Sequence, residues 1–357
     1  MKKSILVALT LVSVALSVPG LAAEKLGSTF DEIVAGAKRE GKVSVYSPFP
    51  SAPSQRALND AFNKRWGLDT QIEWVPLSPT VANTRAITES TGGAPSVDVI
   101  GYGGVEEMRT LVDAKLLKPY PWTRVFGSTL PQMQQLEGLV VPEYRGLGLP
   151  QLDIFYVVSW NPQFIKDEEV PGRLADFADP RWQGKFGVNA FALEPLSFLA
   201  TAIGEKEAID LGRRILNNKP NILRGSPAVN QAIVSGQIMF GTDVTISAQR
   251  AVNAKQPLKF KMFSDYIPRN PVFLYSPETA PHPNTARLFI AWMTSEGYKI
   301  AKTYEVYSSP IDQDDVFRKL ADQQVAKGAR IVKTNSAADV EMLRRVRSAM
   351  NQILTGN

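Results

Sequence analysis

The 357-residue sequence contains no cysteine and a single histidine. Without cysteine there can be no disulfide, no lipid-anchored thiol and no cysteine nucleophile, so stability must come from a large buried core. The one histidine, His282, stands between Pro281 and Pro283 just ahead of a helical pattern, which predicts a turn residue rather than a base or a ligand. No G-x-S-x-G or H-E-x-x-H segment occurs. Acid pairs such as Glu168/Glu169 and Asp314/Asp315 are chain neighbours in polar segments, an arrangement that does not converge on one substrate. These absences leave no motif for catalysis, and the chain reads as a non-enzyme. The net charge of +5 is spread along the chain with no basic run interleaved with aromatics, which excludes nucleic acid as a partner. Beyond the N-terminus, no stretch approaches the roughly 20 apolar residues of a membrane helix.

What is present begins with a leader. Lys2 and Lys3 precede an apolar run from Ile5 to Val18, and Gly20, Ala22 and Ala23 follow. That order is the charge, hydrophobic core and small-residue exit of a secretory signal peptide. The expectation is a signal over residues 1–23 and a mature protein in the periplasm.

The mature chain alternates between two periodicities. Thr29 and Glu32 form a capping-box pattern for a helix ending at Gly41. Lys42–Ser47 reads as a strand, 55–66 as an amphipathic helix, 70–75 as a strand and 81–90 as a helix. The segment Ser96–Met108 (SVDVIGYGGVEEM) then runs from a strand through a glycine loop into a helix. This loop is not a dinucleotide cradle. Glu106 stands where the third glycine of G-x-G-x-x-G belongs, and Glu106 with Glu107 would repel a phosphate from the helix start. The loop is better placed as a wall of a small-molecule cleft, with Tyr102 facing it. Past residue 119 the chain becomes Pro- and Gly-rich, then crosses in an extended run (154–160) into further α/β units. The predicted fold class is α/β, with two lobes. Each lobe is a helix-flanked, mostly parallel sheet, with hinge strands between them. Residues 24–155 and 266–357 form the first lobe and 156–265 the second, and the cleft between them is the expected ligand site. In the last helix Val340, Leu343, Val346, Met350 and Ile353 form an apolar stripe, leaving Arg344, Arg345 and Arg347 as a solvated basic face.

The segments 40–49 (EGKVSVYSPF), 93–100 (GAPSVDVI), 111–120 (LVDAKLLKPY), 179–188 (DPRWQGKFGV) and 281–310 together resemble the bacterial extracellular solute-binding proteins of ABC transporters, and among these the branch labelled iron(III)-binding. The resemblance implies a two-lobed type II periplasmic-binding fold that closes about a hinge and delivers its ligand to an inner-membrane permease. Ferric binders of this group use adjacent tyrosines from the second lobe, often with a histidine after the first strand. Here those positions read 235–247 (SGQIMFGTDVTIS) and 45–55 (VYSPFPSAPSQ), and no Tyr-Tyr pair occurs. The expected ligand is therefore a small polar organic solute, anionic or zwitterionic, such as a phosphonate, an organic acid or an amino-acid-like compound. No metal or cofactor is expected, and the protein should act as a monomer. Ferric iron is the alternative, and an exported hydrolase or a sensing module a further one. By position, the candidate ligand contacts are Ser47 and Tyr102 in the first lobe, and Asn189, Glu194, Ser197, Thr242 and Asp243 in the second. Arg145 and Arg224 are candidates to clamp an anion bidentately, and Asp243 to pair with an amine.

Overall fold

Thr29 does start a helix as its spacing predicts. Its side chain accepts from the Glu32 amide, Glu32 reaches back to the Thr29 amide, and Gly41 closes the helix at φ 60°. The computed structural model describes residues 25–190 and 193–355; the predicted signal peptide lies outside the described residues.

The first helix, α1 (Phe30–Glu40), leads into three β-α units: β1 (Lys42–Tyr46), α2 (Ala52–Trp66), β2 (Gln71–Val75), α3 (Pro79–Thr91), β3 (Val99–Gly103) and α4 (Val105–Asp113). Two short helices, α5 (Trp122–Phe126) and α6 (Met133–Gly138), precede the 13-residue strand β4 (Gly148–Trp160). The second set is β5 (Phe186–Asn189), α7 (Glu194–Ile203), α8 (Glu205–Asn217), β6 (Asn221–Leu223), α9 (Ser226–Val234), β7 (Phe240–Val244) and α10 (Thr245–Asn253). Strands β8 (Lys259–Met262) and β9 (Tyr266–Tyr275) lead to α11 (Pro283–Trp292), α12 (Tyr298–Tyr304), α13 (Val316–Val325), β10 (Arg330–Val332) and α14 (Ala337–Thr355).

The strands run in the order β2-β1-β3-β9-β4-β7-β5-β6. Pairing is parallel within each flank, β2-β1-β3 on one side and β7-β5-β6 on the other. The two long strands β4 and β9 pair antiparallel with each other and join the flanks. This produces the two-lobed α/β fold, with β4 and β9 crossing between lobes. Apolar side chains from α1, α2, α11 and β1 fill one face of the first lobe, and those of α3, α4 and β3 the other. In the second lobe the cores are built from β5, α7 and α8 on one face and α9, α10 and β8 on the other.

The chain's end differs from the expectation that all of 266–357 returns to the first lobe. Helices α11 and α12 do, but α13 packs on β8 and β10, and α14 packs on α7 and α8. The apolar stripe on α14 explains this. Leu343, Val346 and Met350 join the second-lobe core, while Val340 reaches the first-lobe core at α4. Gly212 on α8 permits the approach, because a Cβ there would collide with Met350. Helix α14 thus spans both lobes along one side of the cleft.

Candidate functional site

A cavity of about 1400 Å³ lies between the lobes. Its first-lobe wall comes from the loop after β1, from β3 and from the start of α4; its second-lobe wall from β5, α7, α9 and α10; β4 and α14 close it.

Tyr102, next to last in β3, has a left-handed backbone conformation, φ 69°, in which its amide donates to Oε1 of the buried Gln151 at 3.0 Å. Its ring stacks on Phe49, centroids 5.1 Å apart and planes at 18°. The Arg250 guanidinium of α10 lies 4.3 Å from the Phe49 ring and pairs with Glu305 at 2.9 Å. A second-lobe cation is thereby held against first-lobe groups.

The acidic side of the cavity gathers Glu106, Glu107 and Glu194. Glu107 accepts from the Gly104 amide at 2.8 Å and so caps its own helix. Glu106 accepts from Arg347 of α14 at 2.5 Å. Burial nonetheless raises the Glu106 carboxyl above its ordinary range against the pull of Arg347, and Glu107 pushes the same way. Glu194 opens α7, where Asn189 Nδ2 lies 3.5 Å from it, and Tyr156 lines the same cavity. Burial raises its pKa as well, with Arg347 opposing and the Glu107 charge reinforcing the rise. Burial likewise drives the Tyr102 and Tyr156 hydroxyls upward, so both are neutral donors at ordinary pH.

Of the residues singled out in the sequence, Tyr102, Asn189 and Glu194 lie together on the cavity wall. Ser47 is buried beneath it, where its Oγ accepts from the Phe49 amide at 3.2 Å and packs against Gly101. Ser197 is buried, donating to the Glu194 carbonyl at 2.8 Å and accepting from Arg347 Nε at 3.4 Å. Thr242 and Asp243 lie inside the sheet rather than at its edge, because β7 runs on through both of them and pairs through Asp243 with Val157. Asp243 accepts from Ser159 Oγ at 2.9 Å and from the Val244 amide at 2.7 Å, and burial lifts its pKa to about 7. Arg145 and Arg224 are exposed and off the cavity wall.

The cations that do line the cavity are Arg250 and Arg347. The sequence offered little sign of either. Arg347 sits within a basic run that reads as a solvated face, yet its side chain is only 19% exposed. Of the two glutamates at the start of α4, Glu107 caps its own helix, and both face the cavity. Among the described residues, no group of three or more His, Cys, Asp or Glu side chains is placed to hold a metal ion, and no helix is long and apolar enough to cross a membrane.

Residues 150–329 match the family described as bacterial extracellular solute-binding protein. Solved structures share the fold along nearly the whole chain. Iron-bound HitA from Pseudomonas aeruginosa is 20% identical with a TM-score of 0.68, covering 87% of this chain and 99% of that one. The Trichodesmium protein IdiA (FutA), in complex with iron and citrate, is 16% identical with a TM-score of 0.65, covering 87% and 99%. AgtB from A. tumefaciens R10, in complex with agropinic acid, is 16% identical with a TM-score of 0.60, covering 88% and 98%. No curated protein matches the sequence. The family is one of transport proteins rather than enzymes, and its members bind a small solute for an ABC permease. With the family match over half the chain, the two-lobed fold and the cavity between the lobes, the chain belongs to the bacterial extracellular solute-binding proteins.

Proposed function

We propose that this protein is the periplasmic receptor of an ABC importer, acting as a monomer, and that it captures a small zwitterionic organic solute in the interlobe cavity. The observation that carries the reading is the mixture of charges on the cavity wall. Glu194, Glu106 and Glu107 stand with Arg347 on one part of it; Arg250 and the start of α9, which has no side-chain cap, form another. A helix start without a side-chain cap and an arginine suit a carboxylate or phosphonate, and the carboxylates suit an amine. A purely anionic ligand is less well served, because Arg145 and Arg224 lie elsewhere. Contacts from both lobes are what closure requires, since only a solute with differential affinity for the closed form shifts the population.

Ferric iron is the second reading, favoured by the oxygen donors of Tyr102, Tyr156 and Glu194 that line one cavity. Thermal unfolding against ferric citrate, phosphonates, dicarboxylates, amino acids and sugars separates the two. A specific solute at 100 times its Kd should stabilise by about 2.7 kcal/mol. A shift with zwitterions supports the proposal, a shift with ferric citrate alone replaces it with the iron reading, and no shift with any solute contradicts both.

A further inference from the structure

We propose that Glu194, with Tyr102 and Tyr156 beside it, receives the ammonium group of the solute, so that the ligand class is an organic monoammonium compound. The inference rests on the receptor reading above and deepens it.

The three residues come from three different parts of the fold. Glu194 belongs to α7 of the second lobe, Tyr102 to β3 of the first, and Tyr156 to the crossing strand β4. All three line the same cavity. The Glu194 charge acts on both tyrosines. A cation bound here would touch both lobes at once.

The pairing of charges decides its sign. Arg347 is engaged by Glu106, Arg250 by Glu305, and Glu107 by its own helix amide. Glu194 has the neutral Asn189 as a hydrogen-bond partner and feels the Arg347 charge through space, Arg347 donating its own hydrogen bonds to Glu106 and Ser197. A carboxylate taken out of water without a cation is costly. A ligand ammonium would form a charge-assisted hydrogen bond to it and could use the tyrosine rings as cation–π surfaces. A ligand carboxylate at the same place would meet Glu194, Glu106 and Glu107 together. With Glu106 held by Arg347 and Glu107 by its own helix amide, Glu194 is the carboxylate left for a ligand ammonium. The site lies within the interlobe cavity, with a stacked aromatic pair on its wall.

The test uses the mature full chain and a ladder of ω-amino acids: glycine, β-alanine, 4-aminobutyrate, 5-aminovalerate and 6-aminohexanoate. Each is matched with the fatty acid lacking the amine, and choline and ferric citrate are added. The expected result is a rise in unfolding temperature of roughly 5 °C or more at saturation for one or more ammonium compounds, with no rise for the matched acids. The chain length giving the largest shift reports the spacing from Glu194 to the acid-binding part of the wall. Glu194→Gln, whose own unfolding transition confirms that it folds, should lose at least about 10-fold in affinity for the ammonium compounds. A shift produced equally by the matched acids, or undiminished ammonium binding by Glu194→Gln, overturns the ammonium site while leaving the receptor reading intact. A shift with ferric citrate and with no ammonium compound does the same. No shift with any solute overturns the receptor reading itself.

Discussion

Two buried carboxylates, one in each lobe, show how differently the same group can be used. Asp98 in the first lobe is fully buried and saturated with donors. It accepts from the Ser44 amide at 2.8 Å and the Ser44 hydroxyl at 3.1 Å, and from the His282 amide at 2.7 Å, with His282 Nδ1 at 2.9 Å. It ties β1 to the start of α11 and has nothing left to offer a ligand. Glu194 in the second lobe faces a cavity, with the neutral Asn189 as a hydrogen-bond partner, Glu106 and Glu107 as like charges, and an Arg347 that is engaged by Glu106. Converging donors mark a carboxylate that holds the fold together; a cation shared with another carboxylate marks one that can still take a partner. Asp243 falls between the two, buried like Asp98 and raised like Glu194, but without a face on the cavity.

The largest expected effect comes from breaking the structural carboxylate. Asp98→Asn turns an acceptor toward four converging groups into a partial donor and should cost about 3 kcal/mol. That is a fall of roughly 6–12 °C in unfolding temperature, with unchanged solute affinity in the protein that remains folded. A change in affinity without a change in stability would erase the distinction between the two sites.

A smaller effect comes from pH. Asp243 is raised from 3.8 to about 7 by burial, so its contribution to stability is fully present below 3.8 and is lost as pH rises through about 7. His282 is raised from 6.5 by its hydrogen bond to Asp98, so its contribution is fully present below 6.5 and is lost as pH climbs through the raised value. Unfolding temperature should therefore decline from mildly acidic to mildly alkaline pH. Asp243→Asn should flatten the lower part of that decline and leave the His282 part, as scanning calorimetry across the range would read directly.

Glu194→Gln should be smaller still in the free protein. It removes a buried charge from beside Glu106 and Glu107, so the unfolding temperature above neutral pH should hold or rise by a degree or two, the reverse of Asp98→Asn. The smallest effects belong to Arg145→Ala and Arg224→Ala, both exposed, which should stay within about 0.5 kcal/mol of the parent protein and leave solute titrations unchanged.

Much of this organisation was legible along the chain. The capping box at Thr29, the β-α alternation of the first lobe and the place of Tyr102 all follow from local periodicity and turn chemistry, which act within a few residues. Asp98 reads as structural for the same reason, since it sits inside an apolar strand. What local pattern cannot carry is pairing across distance. Arg347 meets Glu106 across 241 positions, and nothing in the run Arg344–Arg347 marks which arginine turns inward. The ladder of β7 to β4 runs from Phe240 to Val244, set by the register against β4 rather than by the local apolar run. That register moves Asp243 from the expected strand end into the sheet. The start of α4 carries both kinds of information, since its two glutamates serve the helix locally and the cavity at long range.

An ammonium site at Glu194 needs that carboxyl ionised, and the most direct measurement is the affinity of the best ω-amino acid as a function of pH. Below the raised pKa of Glu194, affinity should fall by about tenfold for each pH unit as the carboxyl takes up a proton, and above it affinity should be level. In Glu194→Gln the slope should vanish. An affinity that strengthens as pH falls, or a slope that survives the substitution, would contradict the account.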